Sequence, residues 1–315
     1  MIKIRFRDFP GEDSYGHFIE LIEIASGQKV ILCRDQSKNV DLEITGPYGG
    51  TSDDYKTPLS KKIKRVGYIV FTNGRHLTRR NLATGIQPSK TAKRNIWYSG
   101  ENVRPPQGNW DGYLAFDTNL PKDRSVYLPL WFLTSTNLFK STRQTYWGSQ
   151  VPTIAQLTEG RKFTAMRNRF VVSFIGRSYP MRLHAIEYLA KIGKVDVFGQ
   201  AARNQVKNPS VVAKNYRFIL CFENDLYPGY VTEKPLEAYI AGAIPLYYGL
   251  DQLNYLNQTA LINLANFKNL TEWADQVKKI NNNDRIFKNI YEQPILRKKP
   301  KLTDAVNLIR KVLEI

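Results

Sequence analysis

Residues Tyr216 to Gly249 read YRFILCFENDLYPGYVTEKPLEAYIAGAIPLYYG, and the rest of the chain can be ordered around them. Phe218–Phe222 is a short apolar run without alternation, the pattern of a strand buried on both faces of a parallel sheet. Asp225–Tyr230 carries the turn residues Pro228 and Gly229. Thr232 can cap a helix that ends near Gly242, and Ile244–Tyr248 reads as the next strand. In the first turn of that helix Glu233 suits the positive end of the helix dipole, whereas Lys234 opposes it and calls for an anion to face. Backbone N–H groups at a helix start bind phosphate, so a lysine there completes a two-part clamp. A solvated lysine is the competing reading of the same pattern.

Working outward, the alternation of strand and helix extends through the second half. Phe170–Ile175 reads as a strand, Pro180–Ile192 as a helix, Val195–Phe198 as a strand, and Leu270–Ile280 as a further helix. Arg182 falls in the first turn of its helix, the same dipole-opposed placement as Lys234. No glycine-rich fingerprint of the P-loop or dinucleotide-binding kind is present. Toward the N-terminus, strands are expected at Ile2–Phe9, Lys29–Cys33, Val40–Thr45, Val66–Phe71, Arg94–Ser99 and Gly112–Asp117, with Ser125–Phe132 extended and residues 72–93 a long basic loop. Arg94–Ser99 runs straight into Gly100 and Glu101. In open α/β sheets the ligand crevice lies outside the carboxyl ends of the strands, which places Glu101 where a catalytic carboxylate belongs. His17 reads as a packing or surface residue of a first helix capped by Asp13 or Ser14.

At 315 residues the chain exceeds the usual limit of a single core. The expected fold class is α/β, with a domain over 1–150, a second over 151–295, a basic terminal helix over 296–315, and a linker from Thr134 to Pro152. A net charge of +18 favours polyanions, whether nucleic acid, anionic membrane or phosphate-rich substrates. The cluster Arg297, Lys298, Lys299 and Lys301 is either solvated charge or a peripheral contact with an anionic membrane. Two cysteines, Cys33 and Cys221, read as buried free thiols of a reducing compartment. With three histidines in all, a histidine-based metal site is disfavoured. Neither a signal peptide nor an apolar run of about 18 residues is present, so a cytoplasmic location is expected.

Three blocks resemble the alpha-1,3/alpha-1,4-fucosyltransferase family, its bacterial members most. The first is WYSGENVRPP from Trp97 to Pro106 with DGYLAFD from Asp111. The second runs from Ser173 through Arg182 to Gly199, and the third is the opening stretch. Departures are Pro106 where Asp is common, Pro235 after Lys234, and Ile219 where some members have Tyr; the first 90 residues match poorly.

The resemblance implies a GT-B architecture, two Rossmann-like domains facing across a cleft, with GDP-L-fucose held mainly by the C-terminal one. It implies Glu101 as general base, Arg182 and Lys234 on the diphosphate, Glu233 on the ribose, and Asn224, Tyr230 and Ser178 as further donor contacts. The implied reaction is an inverting transfer of L-fucose from GDP-beta-L-fucose to a hydroxyl of an acceptor glycan. N-acetylglucosamine in a lactosamine-like unit, as oligosaccharide or glycolipid, is the acceptor implied, in alpha-1,3 or alpha-1,4 linkage. No cofactor is implied. The chain lacks the Asp-x-Asp element that carries a divalent ion in many nucleotide-sugar transferases. A GT-B transferase using another nucleotide sugar is the alternative. A basic nucleic-acid-binding protein is a rival from a different class, and it leaves the Glu101 and Thr232–Lys234 blocks unexplained.

Overall fold

Two parallel sheets are assembled from two runs of alternating elements. The computed structural model describes residues 1–9, 15–48, 71–72, 75–76, 85–106 and 108–315. The first run is β1 (Ile2–Arg7), α1 (Gly16–Ser26), β2 (Val30–Leu32), β3 (Val40–Thr45), β4 (Phe71–Thr72), β5 (Arg75–His76), β6 (Ala92–Ser99), β7 (Gly112–Ala115), β8 (Ser125–Tyr127) and α2 (Leu130–Thr134). Six of these strands form a sheet in the order β2-β1-β3-β6-β7-β8, and each neighbouring pair is parallel. The short strands β4 and β5 pair with each other, antiparallel.

The second run is α3 (Ile154–Thr158), β9 (Arg169–Phe174), α4 (Pro180–Ala190), β10 (Val195–Phe198), α5 (Pro209–Ala213), β11 (Tyr216–Leu220), α6 (Lys234–Ile240), β12 (Ile244–Tyr247), β13 (Ile262–Asn263), α7 (Leu270–Asn281), α8 (Asp284–Tyr291) and α9 (Thr303–Leu313). Its sheet has the order β10-β9-β11-β12-β13, again wholly parallel. Phe218, Ile219 and Leu220 of β11 are all buried, as a central strand covered on both faces requires.

Several expectations shift. Extended structure from Ser125 to Phe132 stops early, because Pro129 sits at the N-cap of α2 and the chain turns helical at Leu130. Thr232 does not cap α6: Glu233 takes that position without a side-chain cap, and the Thr232 hydroxyl turns to the Glu223 carboxylate instead. Both cysteines are free, but only Cys221 is buried, while Cys33 is half-exposed beyond the end of β2. The strand expected at Val66–Phe71 lies outside the described residues except for Phe71, and so do the caps Asp13 and Ser14 and residues 73–74 and 77–84 of the expected 72–93 loop; the described part of that loop includes Thr72 of β4, β5, and Ala92 and Lys93 at the start of β6.

Helix α9 returns to the first sheet. Ala305, Val306, Leu308, Ile309 and Val312 are buried, and a Cβ on Gly112 of β7 would stand 3.2 Å from the Val312 side chain. Arg310 Nε donates to the Ala25 carbonyl at 2.9 Å and Lys311 Nζ to the Asp123 carbonyl at 2.6 Å. The preceding Arg297, Lys298, Lys299 and Lys301 remain exposed. Among the described residues, no helix is long and apolar enough to cross a membrane.

The loop after β11 joins the two sheets at their carboxyl ends. Gly229 has φ +83°, and a Cβ there would lie 2.5 Å from the Phe116 carbonyl oxygen, so only glycine allows this approach. Tyr127 donates to the Gly229 carbonyl at 3.1 Å, and Tyr227 donates to Asp117 Oδ1 at 3.1 Å. Asn102 Nδ2, just beyond β6, donates to Asp225 Oδ2 at 2.8 Å. The seam therefore brings Glu101 within electrostatic range of Lys234.

Candidate active site

The centre of the site is a buried carboxylate at the end of β11. Glu223 has a fully buried side chain, and its Oε1 accepts from the Thr232 amide at 2.8 Å and the Tyr247 hydroxyl at 3.1 Å. Its Oε2 accepts from the Thr232 hydroxyl at 2.7 Å and from Lys234 Nζ at 3.0 Å. Lys234 Nζ also donates to Thr232 Oγ1 at 2.8 Å, and its side chain is 20% exposed. Burial alone would make this ammonium easier to deprotonate. The surrounding carboxylates of Glu223, Glu233 and Glu101 outweigh that and hold its pKa above the ordinary lysine range. Lys234 is thus a cation fixed in place, with one face still open.

On the other side of the same strand end stands Arg182, 5% exposed, from the first turn of α4. Its guanidinium donates to the Phe222 carbonyl at 2.6 Å, to Asn224 Oδ1 at 3.4 Å and to the Arg177 carbonyl at 3.4 Å. Burial lowers its pKa, yet it remains a cation at neutral pH. The short segment Phe222-Glu223-Asn224 therefore carries Arg182 on one side and Lys234 on the other. Ser178 lies exposed in the connection between β9 and α4.

Glu101 arrives from the first sheet. Its carbonyl accepts from Ser99 Oγ at 2.7 Å and from the Val103 amide at 2.6 Å, which fixes the turn beyond β6. Gly100 is needed in that turn, since a Cβ would stand 2.5 Å from the Tyr98 hydroxyl. Burial raises the pKa of the Glu101 carboxyl above 4.5; Lys234 opposes the shift, Glu233 and Glu223 reinforce it, and Arg177 opposes it. Groups from both sheets therefore share one electrostatic environment.

Three polar atoms here are buried and have no hydrogen-bond partner among the described residues: Glu233 Oε2, the Tyr230 hydroxyl and the Tyr98 hydroxyl. Buried polar groups are nearly always satisfied, and each orphan costs about 1–3 kcal/mol, so a cluster of them marks where a polar ligand belongs. Tyr230 is 1% exposed, with its ring set edge-on to Phe116 at 5.0 Å. Among the described residues, no group of three His, Cys, Asp or Glu side chains is placed to hold a metal ion.

Composition and spacing did not single out Glu223, Glu237 or the Asn102–Asp225 pair. Glu237, in the first turn of α6, accepts from the Thr145 hydroxyl at 2.9 Å and from the amides of Tyr146 at 2.9 Å and Trp147 at 3.3 Å. Burial pushes its pKa up to about 7 and that of Asp225 up to about 6. One sequence signal was available. Glu223 directly follows an unbroken apolar strand, and Glu237 lies on the inner face of a helix with Leu236 and Ala238, so each is a charge in a run that packing would fill with apolar residues.

Residues 164–295 match the family model described as glycosyltransferase family 10 (fucosyltransferase) C-term. The chain is 27% identical over 269 residues to the alpha-(1,3)-fucosyltransferase FucT of Helicobacter pylori, covering 78% of this chain and 55% of that protein. It is 32% identical over 123 residues to GDP-fucose protein O-fucosyltransferase 3 of Xenopus tropicalis, covering 34% of this chain and 26% of that protein. The chain thus spans little more than half the length of the first of these relatives, and about a quarter of the second. A crystal structure of an alpha1,3-fucosyltransferase with GDP superposes with a TM-score of 0.66 at 19% identity, over 100% of this chain and 90% of that one. That likeness shows the fold, a GT-B pair of α/β units.

Proposed function

We propose, from the match of residues 164–295 to the family model, that the chain transfers L-fucose from GDP-fucose to an acceptor glycan in alpha-1,3 or alpha-1,4 linkage, with inversion. The observation that carries the reading is that the seam bonds from Asn102 to Asp225 and from Tyr127 to Gly229 bring Glu101, from one sheet, within electrostatic range of Lys234, Glu233 and Glu223, from the other.

In this reading the diphosphate lies across Phe222-Glu223-Asn224, between Arg182 and Lys234. Two fixed cations there stabilise the negative charge that builds on departing GDP, without reorganising during the step. Glu223 keeps the Lys234 ammonium aimed at the leaving group. Glu233 and Tyr230 direct their unpartnered oxygens toward the donor, with Asn224 bridging to Arg182 and Ser178 at the rim. Glu101 accepts the proton of the acceptor hydroxyl as its oxygen attacks the anomeric carbon and the bond to the GDP oxygen breaks. A carboxylate with a raised pKa is a stronger base, which suits that task. The charge on GDP is met by side chains, and a divalent ion is not required by this scheme.

The test is acceptor-dependent release of GDP from GDP-fucose, with N-acetyllactosamine, lacto-N-biose or no acceptor, in EDTA. Release that requires an acceptor supports transfer without a metal. Tight binding of UDP- or dTDP-sugars in preference to GDP-fucose would overturn the donor assignment.

A further inference from the structure

A cavity of about 310 Å³ opens beside the site, between α1 and the segment that follows α2. Its lining includes His17, Thr142, Arg143, Gln144 and Tyr146, and every lining residue lies outside 164–295. The segment that forms it is tied to both halves of the molecule. At one end Glu20 of α1 accepts from the amides of Lys140 at 2.9 Å and Ser141 at 3.0 Å. At the other, Glu237 of α6 accepts from the amides of Tyr146 and Trp147. Glu237 follows Lys234 by three residues, so its side chain lies one helical turn along the same face. The Tyr146 hydroxyl is in turn within electrostatic reach of Glu233, Glu101 and Lys234.

The lining suits a sugar. Thr142 donates its single hydroxyl proton to the Leu133 carbonyl at 2.7 Å, so its oxygen accepts from His17 Nε2 at 3.1 Å, and this bond fixes the ring and its tautomer. Arg143 and Gln144 are exposed, and Arg143 makes no ion pair with a described residue. Tyr146 is 72% exposed, an aromatic side chain presented to solvent on a backbone held by a buried carboxylate. A rigidly mounted aromatic face with amide and guanidinium donors around it offers stacking to the C–H face of a pyranose and hydrogen bonds to its hydroxyls. Among the described residues no carboxylate lines the cavity. Its volume is at the small end of the roughly 300–1,000 Å³ typical of ligand sites, which suits one sugar ring.

We propose that this cavity is the acceptor subsite for the sugar next to the one fucosylated, with Tyr146 as its stacking platform and Gln144 and Arg143 as hydrogen-bond donors. The inference rests on the fucosyl-transfer reading and adds where a disaccharide acceptor is gripped. It makes Tyr146 a determinant of acceptor length, acting on the second ring.

The experiment is saturation-transfer NMR of N-acetyllactosamine and of N-acetylglucosamine on the wild-type chain with GDP bound, repeated with Tyr146→Ala and Gln144→Ala. Both substitutions remove exposed side chains. The expected result is that N-acetyllactosamine binds about tenfold more weakly to Y146A, the scale of losing one central aromatic contact, while GDP and N-acetylglucosamine bind as before. In turnover the same variant should raise KM for the disaccharide and leave KM for GDP-fucose unchanged. Equal loss for the mono- and disaccharide, no loss in either variant, or wild-type protein that binds GDP but no disaccharide would each overturn the subsite. Failure of the function reading looks different: GDP-fucose itself would not bind.

Discussion

Replacing Glu223 by glutamine tests the claim that one buried carboxylate holds the donor cation. Its four accepted bonds leave no good position for an amide. With the NH2 group at the Oε2 position it faces the Lys234 ammonium, 3.0 Å away; at the Oε1 position it faces the Thr232 amide, 2.8 Å away. Either orientation sets donor against donor, and both remove the carboxylate ion-paired with Lys234. Removing one partner of a buried ion pair costs about 3–5 kcal/mol, and the retained hydrogen bonds place this case near 3. At about 2–4 °C per kcal/mol for chains somewhat shorter than this one, the melting temperature should fall by roughly 5–10 °C. Tyr247→Phe is the control. It deletes only the 3.1 Å hydroxyl bond to Oε1 and should cost about 1.5 kcal/mol. Differential scanning fluorimetry with and without GDP reads both terms, since a ligand that binds only the folded state adds stability in proportion to its affinity. E223Q should lose most of the GDP-induced shift, and Y247F should keep it. An E223Q protein that melts like wild type and retains the full GDP shift would refute the network's role in holding Lys234.

Other outcomes follow from the same geometry. Glu101→Gln should reduce kcat by about 10²–10⁴-fold, the usual reach of a general base, with GDP affinity unchanged in calorimetry. The active form of Glu101 is the carboxylate, so in the wild type kcat should fall as pH drops through its raised pKa, on an acid limb lying above the ordinary 4.5. Glu237 sets a different pH dependence. With its folded pKa raised from 4.5 to about 7, the folded state holds a proton that the unfolded chain has released across that window. Its contribution to stability is therefore present below pH 4.5 and is lost as pH rises toward 7. Urea denaturation of Glu237→Gln at several pH values should show this slope flattened.

Much of the fold was legible locally. The unbroken apolar runs at Phe218–Phe222 and Ile244–Tyr248 could be read as buried parallel strands, because a strand covered on both faces has no polar side to reveal by alternation. The helix boundaries were less secure. Thr232 has the side chain of a cap, yet its hydroxyl meets a carboxylate nine residues earlier in sequence, and that tertiary bond outcompetes the local one. Pro129 likewise ended an extended run that aromatic content alone would have continued to Phe132.

The sequence by itself determined the α/β alternation, the two cation-bearing helix starts at Arg182 and Lys234, and the placement of Glu101 beyond the end of a strand. These are consequences of short-range rules: burial periodicity, helix dipole and strand polarity act over a few residues. Only the tertiary structure decided that Glu101 and Lys234 come within electrostatic range, that Glu223 and Glu237 are buried carboxyl groups with organising partners, that α9 returns to the first sheet, and that residues 141–146 line a cavity beside the site. Each of those depends on groups far apart in sequence being held within hydrogen-bonding or electrostatic range, and the seam formed by Gly229, Tyr127, Asn102 and Asp225 is what sets those distances.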